Sequence, residues 1–214
     1  MTNTASLLLS RRSVLALALM APALAHAQAR PVVTVLGDSI TAGLGLPTNQ
    51  ALPAQLQAAL TRLGQPALVR GAGVSGDTTA GGLARLDFSV QPDTAVCVVA
   101  LGGNDLLRGL SPAVTRANLQ KIVARLKARR IKVVLAGLQV PPAVGRRYAA
   151  EVDAAFRAAG AAPGVVFVPN LLAGVAGVRS LNQPDGIHPN AAGARQVAQN
   201  LAPAVKQAIR ARRA

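Results

Sequence analysis

Two patterns of hydrophobic and polar positions alternate along the chain. Short, continuous apolar runs rich in valine are typical of strands buried on both faces. They occur at about 32–36, 67–70, 94–101, 131–137 and 165–168. The segments between them place apolar residues at helical spacing, at about 50–63, 78–87, 113–130, 146–160 and 189–212. Alternating strands and helices predict a three-layer α/β/α fold around a five-stranded parallel sheet.

The N-terminal segment is predicted to be an export signal that precedes this single domain. Arg11-Arg12 lead into Val14–Ala25, an apolar run too short to span a bilayer, and Ala25-His26-Ala27 resembles a small-x-small cleavage site. We therefore expect residues 1–27 to be cleaved and residues 28–214 to be periplasmic or secreted. The paired arginines resemble a twin-arginine signal, while general secretion and an uncleaved anchor are the alternatives.

The composition is aliphatic and strongly basic. Aromatic residues make up 2% of the chain, and the formal net charge is +15. The arginines are scattered and have no aromatic neighbours on which bases could stack, so we expect no nucleic-acid partner. A basic surface of this kind predicts at most a weak attraction to anionic membrane surfaces. Nothing in the composition indicates an oligomeric state.

Metal and cofactor chemistry have little support in the sequence. Removal of the signal would leave His188 as the single histidine, and the lone cysteine, Cys97, lies inside an apolar strand segment. These residues cannot form a zinc site with the usual spacing. Neither a phosphate-binding loop nor a dinucleotide fingerprint occurs. We expect no cofactor.

The residues able to do chemistry concentrate in the loops that follow the strands, where ligands bind in open parallel sheets. Four of the eight acidic residues fall in or beside these loops: Asp38, Asp77, Asp105 and Asp185. Ser39 follows the first strand directly, in Gly37-Asp38-Ser39-Ile40. A serine at this position is either a helix N-cap or a nucleophile. A nucleophile would need a histidine and an acid to orient it, and Asp185 and His188 stand three residues apart.

Two further loops could stabilise a developing oxyanion. Asn104, in Gly102-Gly103-Asn104-Asp105 after the third strand, could donate its side-chain amide, and the N–H of Gly76 after the second strand could donate as well. The alternative for both segments is a turn or helix cap, a role we expect for Asp105. Asp77 occupies the last position of what would otherwise be a Gly-x-Ser-x-Gly elbow, which argues against an ordinary α/β-hydrolase.

These four segments, in this order, resemble the SGNH (GDSL) hydrolase family. The resemblance extends from about Val32 through the last helix and is greatest to the branch of exported arylesterases, acyl-CoA thioesterase I and lysophospholipase L1. It implies sheet order 2-1-3-4-5. It also implies a set of site residues: Ser39 as nucleophile, His188 as base, Asp185 as its partner, and an oxyanion hole of Ser39, Gly76 and Asn104. From its place beside Asn104, we expect the segment with Leu107, Arg108 and Gly109 to bind substrate at the acyl site; the alternative is a plain helix-entry loop.

Some positions depart from the family pattern and affect the expected substrate more than the chemistry. They are Gly71 in place of Asn, Ile40 in place of Leu, Leu44 in place of Tyr, and the segment Pro142-Ala143-Val144. We expect a serine hydrolase that cleaves carboxylic esters, and thioesters as well, through an acyl-serine. The alternatives are a carbohydrate O-acetylesterase on the same fold and a non-catalytic module that binds lipid or polysaccharide.

Overall fold

The computed structural model describes residues 30–140 and 144–213. The predicted signal, residues 1–27, and the departures at Pro142 and Ala143 lie outside the described residues. The sheet has five strands: Val32–Gly37 (β1), Leu68–Gly73 (β2), Thr94–Ala100 (β3), Lys132–Ala136 (β4) and Val165–Val168 (β5). Every neighbouring pair is parallel, in the order β2-β1-β3-β4-β5. The predicted fold class and strand order are confirmed.

Helices connect the strands on both faces of the sheet. They are Ser39–Ala42 (α1), Leu52–Arg62 (α2), Thr79–Ala84 (α3), Leu86–Ser89 (α4), Gly103–Leu107 (α5), Pro112–Ala128 (α6), Arg146–Gly160 (α7) and Ala191–Arg213 (α8). Short 3₁₀ turns occur at Thr48–Gln50 and Arg179–Leu181. The helix expected over 78–87 is divided at Arg85 into α3 and α4. None of the helices in the described ranges is both long and apolar enough to cross a membrane.

The strands β1, β3 and β4 bury both of their faces, as the valine-rich pattern predicts, whereas β5 is only half-buried. Val96 and Val98 of β3 point into a core shared with α2 and α8, whereas Cys97 and Val99 point into a second core shared with α4, α6 and α7. Both cores are almost entirely aliphatic, and Phe156 is the one aromatic ring among the largest fully buried side chains of the described residues. Burial raises the pKa of the Cys97 thiol to about 12, which is consistent with an inert cysteine.

The sheet order places a topological switch point at β1. The chain leaves β1 to form β2 on one side and later returns to form β3 on the other, so the loops after these strands open a crevice at their carboxyl ends. The end of β2 lies tightly against α1, where a Cβ on Gly73 would come within 2.2 Å of the Ala42 nitrogen. Glycine at this position lets the loops after β1 and β2 lie side by side.

Candidate active site

Ser39 begins helix α1 immediately after β1. The N-cap is Asp38, whose Oδ1 accepts a hydrogen bond of 3.0 Å from the Ile40 N–H. The capping interpretation considered for Ser39 therefore applies to its neighbour, and the Ser39 hydroxyl is not used to close the helix end. The side chain is almost buried, at 9% exposed, with its oxygen directed toward the loop before α8.

His188 and Asp185 lie on that loop and complete a hydrogen-bonded chain with Ser39. His188 Nε2 lies 2.8 Å from Ser39 Oγ, and His188 Nδ1 lies 2.6 Å from Asp185 Oδ2. The other carboxylate oxygen of Asp185 accepts from the Ile187 and His188 N–H groups at 2.9 and 3.0 Å. Asp185 thus closes its own turn and orients the imidazole at the same time. A hydroxyl, an imidazole and a carboxylate in this sequence can generate a nucleophile.

The electrostatics of the loop keep Asp185 ionised. Hydrogen bonds from the His188 backbone N–H, the His188 ring and the Ile187 N–H lower the pKa of the Asp185 carboxyl to about 2. The carboxylate is therefore negatively charged across the neutral range and holds a proton on Nδ1. This leaves Nε2 with a lone pair toward the serine hydroxyl.

The predicted oxyanion donors face the same space as Ser39 Oγ. Ser39, Gly76, Asn104 and His188 all line one cavity. Within the described residues, the backbone N–H groups of Ser39 and Gly76 donate to no protein acceptor. Gly76 has a φ of 79°, a conformation that glycine adopts without strain. Two unpaired N–H groups and a side-chain amide around one serine match the requirements of a tetrahedral oxyanion.

The Asn104 amide is oriented by the loop after β2. Its Nδ2 donates to the Asp77 carbonyl at 2.9 Å and lies 3.4 Å from Asp38 Oδ2. Asn104 thus bridges the loops after β1 and β2 and also lines the cavity. Burial raises the pKa of the Asp38 carboxyl, an effect only partly offset by its backbone hydrogen bonds.

The neighbouring Asp105 has the structural role expected from its position. Its buried carboxylate accepts from the N–H and hydroxyl of Thr79 and, at 3.2 Å, from the Thr115 hydroxyl. Thr78 caps α3, and Thr79 is the first residue of that helix. The Asp105 side chain therefore links the start of α3 to α5 and α6. Gly71, one of the departures from the family pattern, lies close to Pro53. A Cβ on Gly71 would lie 2.8 Å from Pro53 Cγ.

The cavity has a volume of about 430 Å³ and is lined mainly by aliphatic side chains. They are Ile40, Leu44, Leu101, Leu106, Leu107, Leu138, Leu171, Leu172 and Ile187. Within the predicted substrate segment, Leu107 lines the cavity. In the described part of the structure, Arg108 and Gly109 do not line it. Arg108 instead donates to the Gly76 carbonyl at 2.6 Å and so fixes the loop that carries an oxyanion donor.

Several residues that shape this site were not identified from the sequence. Leu138 and Leu171–Leu172 come from the loops after β4 and β5, where isolated apolar residues give no periodic signal. Arg85 contacts the ends of β1 and β2 from the joint between α3 and α4. Among residues 30–140 and 144–213, no group of three or more His, Cys, Asp or Glu side chains is placed to hold a metal ion.

The sequence matches the profile of the GDSL-like Lipase/Acylhydrolase family over residues 35–196. It is 41% identical to Esterase TesA of Pseudomonas aeruginosa over 179 residues, covering 83% of this chain and 89% of that protein. It is 34% identical to Thioesterase 1/protease 1/lysophospholipase L1 of Escherichia coli K12, covering 77% and 78% of the two chains.

Solved structures agree with these sequence matches. A crystal structure of TesA superposes with a TM-score of 0.78 at 41% identity, covering 83% of this chain and 99% of that one. AlinE4, an esterase of the SGNH-hydrolase family, superposes with a TM-score of 0.70 at 41% identity, covering 84% and 97%. The likeness therefore covers more than four fifths of this chain.

Proposed function

This chain belongs to the GDSL-like lipase/acylhydrolase family, and we propose that Ser39 is its nucleophile, His188 its general base and Asp185 the residue that orients the base. The protein is a serine hydrolase of ester bonds, as its relatives are. The observation that supports the residue assignment is the continuous chain from Ser39 Oγ through His188 to Asp185, with contacts of 2.8 and 2.6 Å. Because the chain belongs to this family of enzymes, the alternative of a non-catalytic module that binds lipid or polysaccharide is not supported.

The proposed reaction has two acyl-transfer steps. His188 Nε2 takes the Ser39 proton as Oγ attacks the acyl carbonyl, and the carbonyl oxygen becomes an oxyanion facing the N–H groups of Ser39 and Gly76 and the Asn104 amide. The intermediate collapses to an acyl-serine as His188 protonates the departing alcohol or thiol. Water then attacks the acyl-serine by the reverse proton path and releases the acid.

The assignment is tested by Ser39→Ala in the mature protein. We expect the loss of chromogenic ester turnover by about six orders of magnitude in kcat, the size observed when a serine triad is broken. Labelling by a fluorophosphonate probe should also disappear. Ser111→Ala, at an exposed position before α6, is the control and should label and turn over normally. Wild-type turnover in the Ser39 variant would refute the assignment.

The aliphatic cavity supports a substrate with an acyl chain longer than acetyl. Each buried methylene contributes about 0.8 kcal/mol, which corresponds to roughly a fourfold gain in kcat/KM per carbon until the chain outgrows the cavity. A series of p-nitrophenyl esters and acyl thioesters of increasing length measures this gain. A carbohydrate O-acetylesterase would instead show its highest kcat/KM with the acetyl ester.

The place of action follows from the N-terminal sequence. We propose that residues 1–27 direct export to the periplasm and are then removed, and that the basic surface contributes no more than weak attraction to anionic membranes. Cell fractionation with N-terminal sequencing of the recovered protein tests export. Recovery of an intact N-terminus in the cytoplasm would refute it.

A further inference from the structure

Arg85 occupies a position that the catalytic residues alone do not explain. It lies at the joint between α3 and α4, yet its guanidinium reaches the carboxyl ends of two strands. Nη2 donates to the Gly37 carbonyl and Nη1 to the Ala72 carbonyl, both at 2.8 Å. The side chain is 19% exposed, so a cation is largely withdrawn from water to make these contacts.

The contact with Gly37 acts on the nucleophile loop. Gly37 is the last residue of β1, and its carbonyl also accepts from the Val74 N–H at 3.1 Å. The strand end that leads into Asp38 and Ser39 is therefore held from two sides. A shift of this peptide would move the start of α1 and with it Ser39 Oγ.

The contact with Asp77 acts on the oxyanion loop. Arg85 Nε lies 2.7 Å from Asp77 Oδ2, and the Asp77 carboxylate is 11% exposed. The backbone carbonyl of the same Asp77 accepts from Asn104 Nδ2, and Gly76 is the preceding residue. One ion pair therefore fixes the peptide that orients the Asn104 amide.

The geometry of the contacts requires a guanidinium. Three nitrogens of one planar group donate in three directions, to a carboxylate and to two backbone carbonyls, and Nη1 also reaches Ser89 Oγ at 3.0 Å. A lysine ammonium keeps the charge but is a compact point on a flexible stem and lacks the rigid fork. A lysine could pair with Asp77, but it could not at the same time donate to the carbonyls at the ends of both strands.

We propose that Arg85 is a positioning residue that sets the distance between the Ser39 nucleophile and the Gly76–Asn104 oxyanion donors. The proposal rests on the function proposed above. Arg85 touches no substrate atom and acts through Gly37 on one side and Asp77 on the other. Because misplacing reacting groups by about 1 Å can cost about 10²-fold in rate, its loss should reduce catalysis while leaving the aliphatic cavity and its affinity for the acyl chain intact.

The test compares Arg85→Ala and Arg85→Lys with Arg70→Ala as a matched control. Arg70 forms a bidentate pair with Asp93 at 2.7 and 2.8 Å, lies on β2, and touches no catalytic loop. We expect Arg85→Ala to lower kcat by about 10- to 100-fold with KM changed less than about threefold. The kcat of Arg85→Lys should fall at least several-fold, and Arg70→Ala should retain the wild-type kcat.

Three readouts separate positioning from loss of structure. The number of sites eventually labelled by a fluorophosphonate should equal that of the wild type, while the rate constant of labelling should fall in parallel with kcat. The acid limb of the pH profile of kcat/KM should not move, because Arg85 touches neither His188 nor Asp185. Added guanidinium should partly restore kcat in Arg85→Ala and have no such effect on Arg70→Ala.

Two outcomes would overturn the proposal. One is wild-type activity in Arg85→Ala with a wild-type number of labelled sites. The other is reduced activity that is fully explained by a smaller number of labelled sites, so that kcat per labelled site equals that of the wild type. If the alanine variant does not fold, Arg85→Lys decides: a wild-type kcat in that variant contradicts the need for a guanidinium. Failure of the proposed function would be distinct, because the wild-type protein itself would then show no Ser39-dependent labelling.

Discussion

The two sides of the active site are built in different ways. The acid–base side, Asp185 and His188, lies on one loop in which the two side chains are 44% and 17% exposed and are bonded three residues apart. The oxyanion side combines the loops after β2 and β3 and is supported by contacts between residues 26 to 48 positions apart in the chain. The side chains that support it, Asp105 and the pair Arg85–Asp77, are withdrawn from solvent.

This difference indicates what each side depends on. On the acid–base side the imidazole is oriented within a short turn, because Asp185 closes that turn and binds the imidazole with the same carboxylate. The oxyanion side needs the sheet, since its donors are in place only when β1, β2 and β3 are correctly paired. Damage to the first should therefore affect chemistry with little effect on stability, whereas damage to the second should affect both.

Of the substitutions that test these two sides, Asp185→Asn should have the largest effect. An amide cannot hold the Nδ1 proton as the carboxylate does, so the imidazole would adopt the wrong tautomer and kcat should fall by about 10⁴-fold. Steady-state kinetics at neutral pH measures the loss, and circular dichroism should show a folded protein. A loss below about tenfold would mean that His188 is oriented by something other than Asp185.

Asn104→Ala tests the chemical contribution of the oxyanion side. Removal of one donor should lower kcat by about 10²- to 10³-fold and change KM little, because the interaction strengthens in the transition state. Kinetics on a short aryl ester provides both values. A rise in KM at constant kcat would instead place Asn104 in ordinary substrate binding.

Asp105→Asn tests whether the oxyanion side also carries stability. The amide would leave the N–H or the hydroxyl of Thr79 without its acceptor, and losing buried hydrogen bonds to a charged group costs about 1.5–3 kcal/mol. Urea denaturation measures the free energy of unfolding. Asp93→Asn is the matched control, since its pair with Arg70 is exposed and is worth less than about 1 kcal/mol. Equal losses in the two variants would mean that Asp105 contributes no more to stability than an exposed ion pair does.

The sequence was informative where contacts are local and uninformative where they are distant. Continuous valine-rich runs identified β1, β3, β4 and β5, and in β1, β3 and β4 burial on both faces accounts for this pattern. β2 was predicted to end at residue 70 and extends to Gly73, because Gly71, Ala72 and Gly73 lack the branched side chains that mark a strand. The absence of a side chain at Gly71 and Gly73 reflects close contacts with Pro53 and α1, which only the fold reveals.

The same limit applies to the site. Asp185 and His188 stood out by their spacing, and Ser39 by following a strand. Arg85 did not, because an arginine in a helical segment is indistinguishable from a solvated one until the sheet brings Gly37 within reach. Helices α1 and α5, of four and five residues, are too short to show a periodicity.

The smallest effect should come from two carboxyls whose influence on stability has opposite dependence on pH: Asp185 on the acid–base side, and Asp38, which contacts the Asn104 amide of the oxyanion side. Burial raises the pKa of Asp38 in the folded protein, so its contribution to stability is fully present below its unfolded pKa of about 3.9 and is lost as the pH rises through the folded pKa. Hydrogen bonds lower the pKa of Asp185 to about 2, so its contribution is present above the unfolded pKa and is lost as the pH falls through 2.

Asparagine at either position removes the titration and keeps the shape. Relative to the wild-type protein, Asp38→Asn should become more stable as the pH rises from 3 to 7, whereas Asp185→Asn should become less stable over the same range. Melting temperatures of the three proteins at matched pH and ionic strength measure both slopes, and the sign of each slope is independent of any constant packing cost of the substitution. Slopes of the same sign would mean that the two carboxyls share one electrostatic environment, and the contrast between an exposed, locally bonded side and a buried, distantly supported side would then fail.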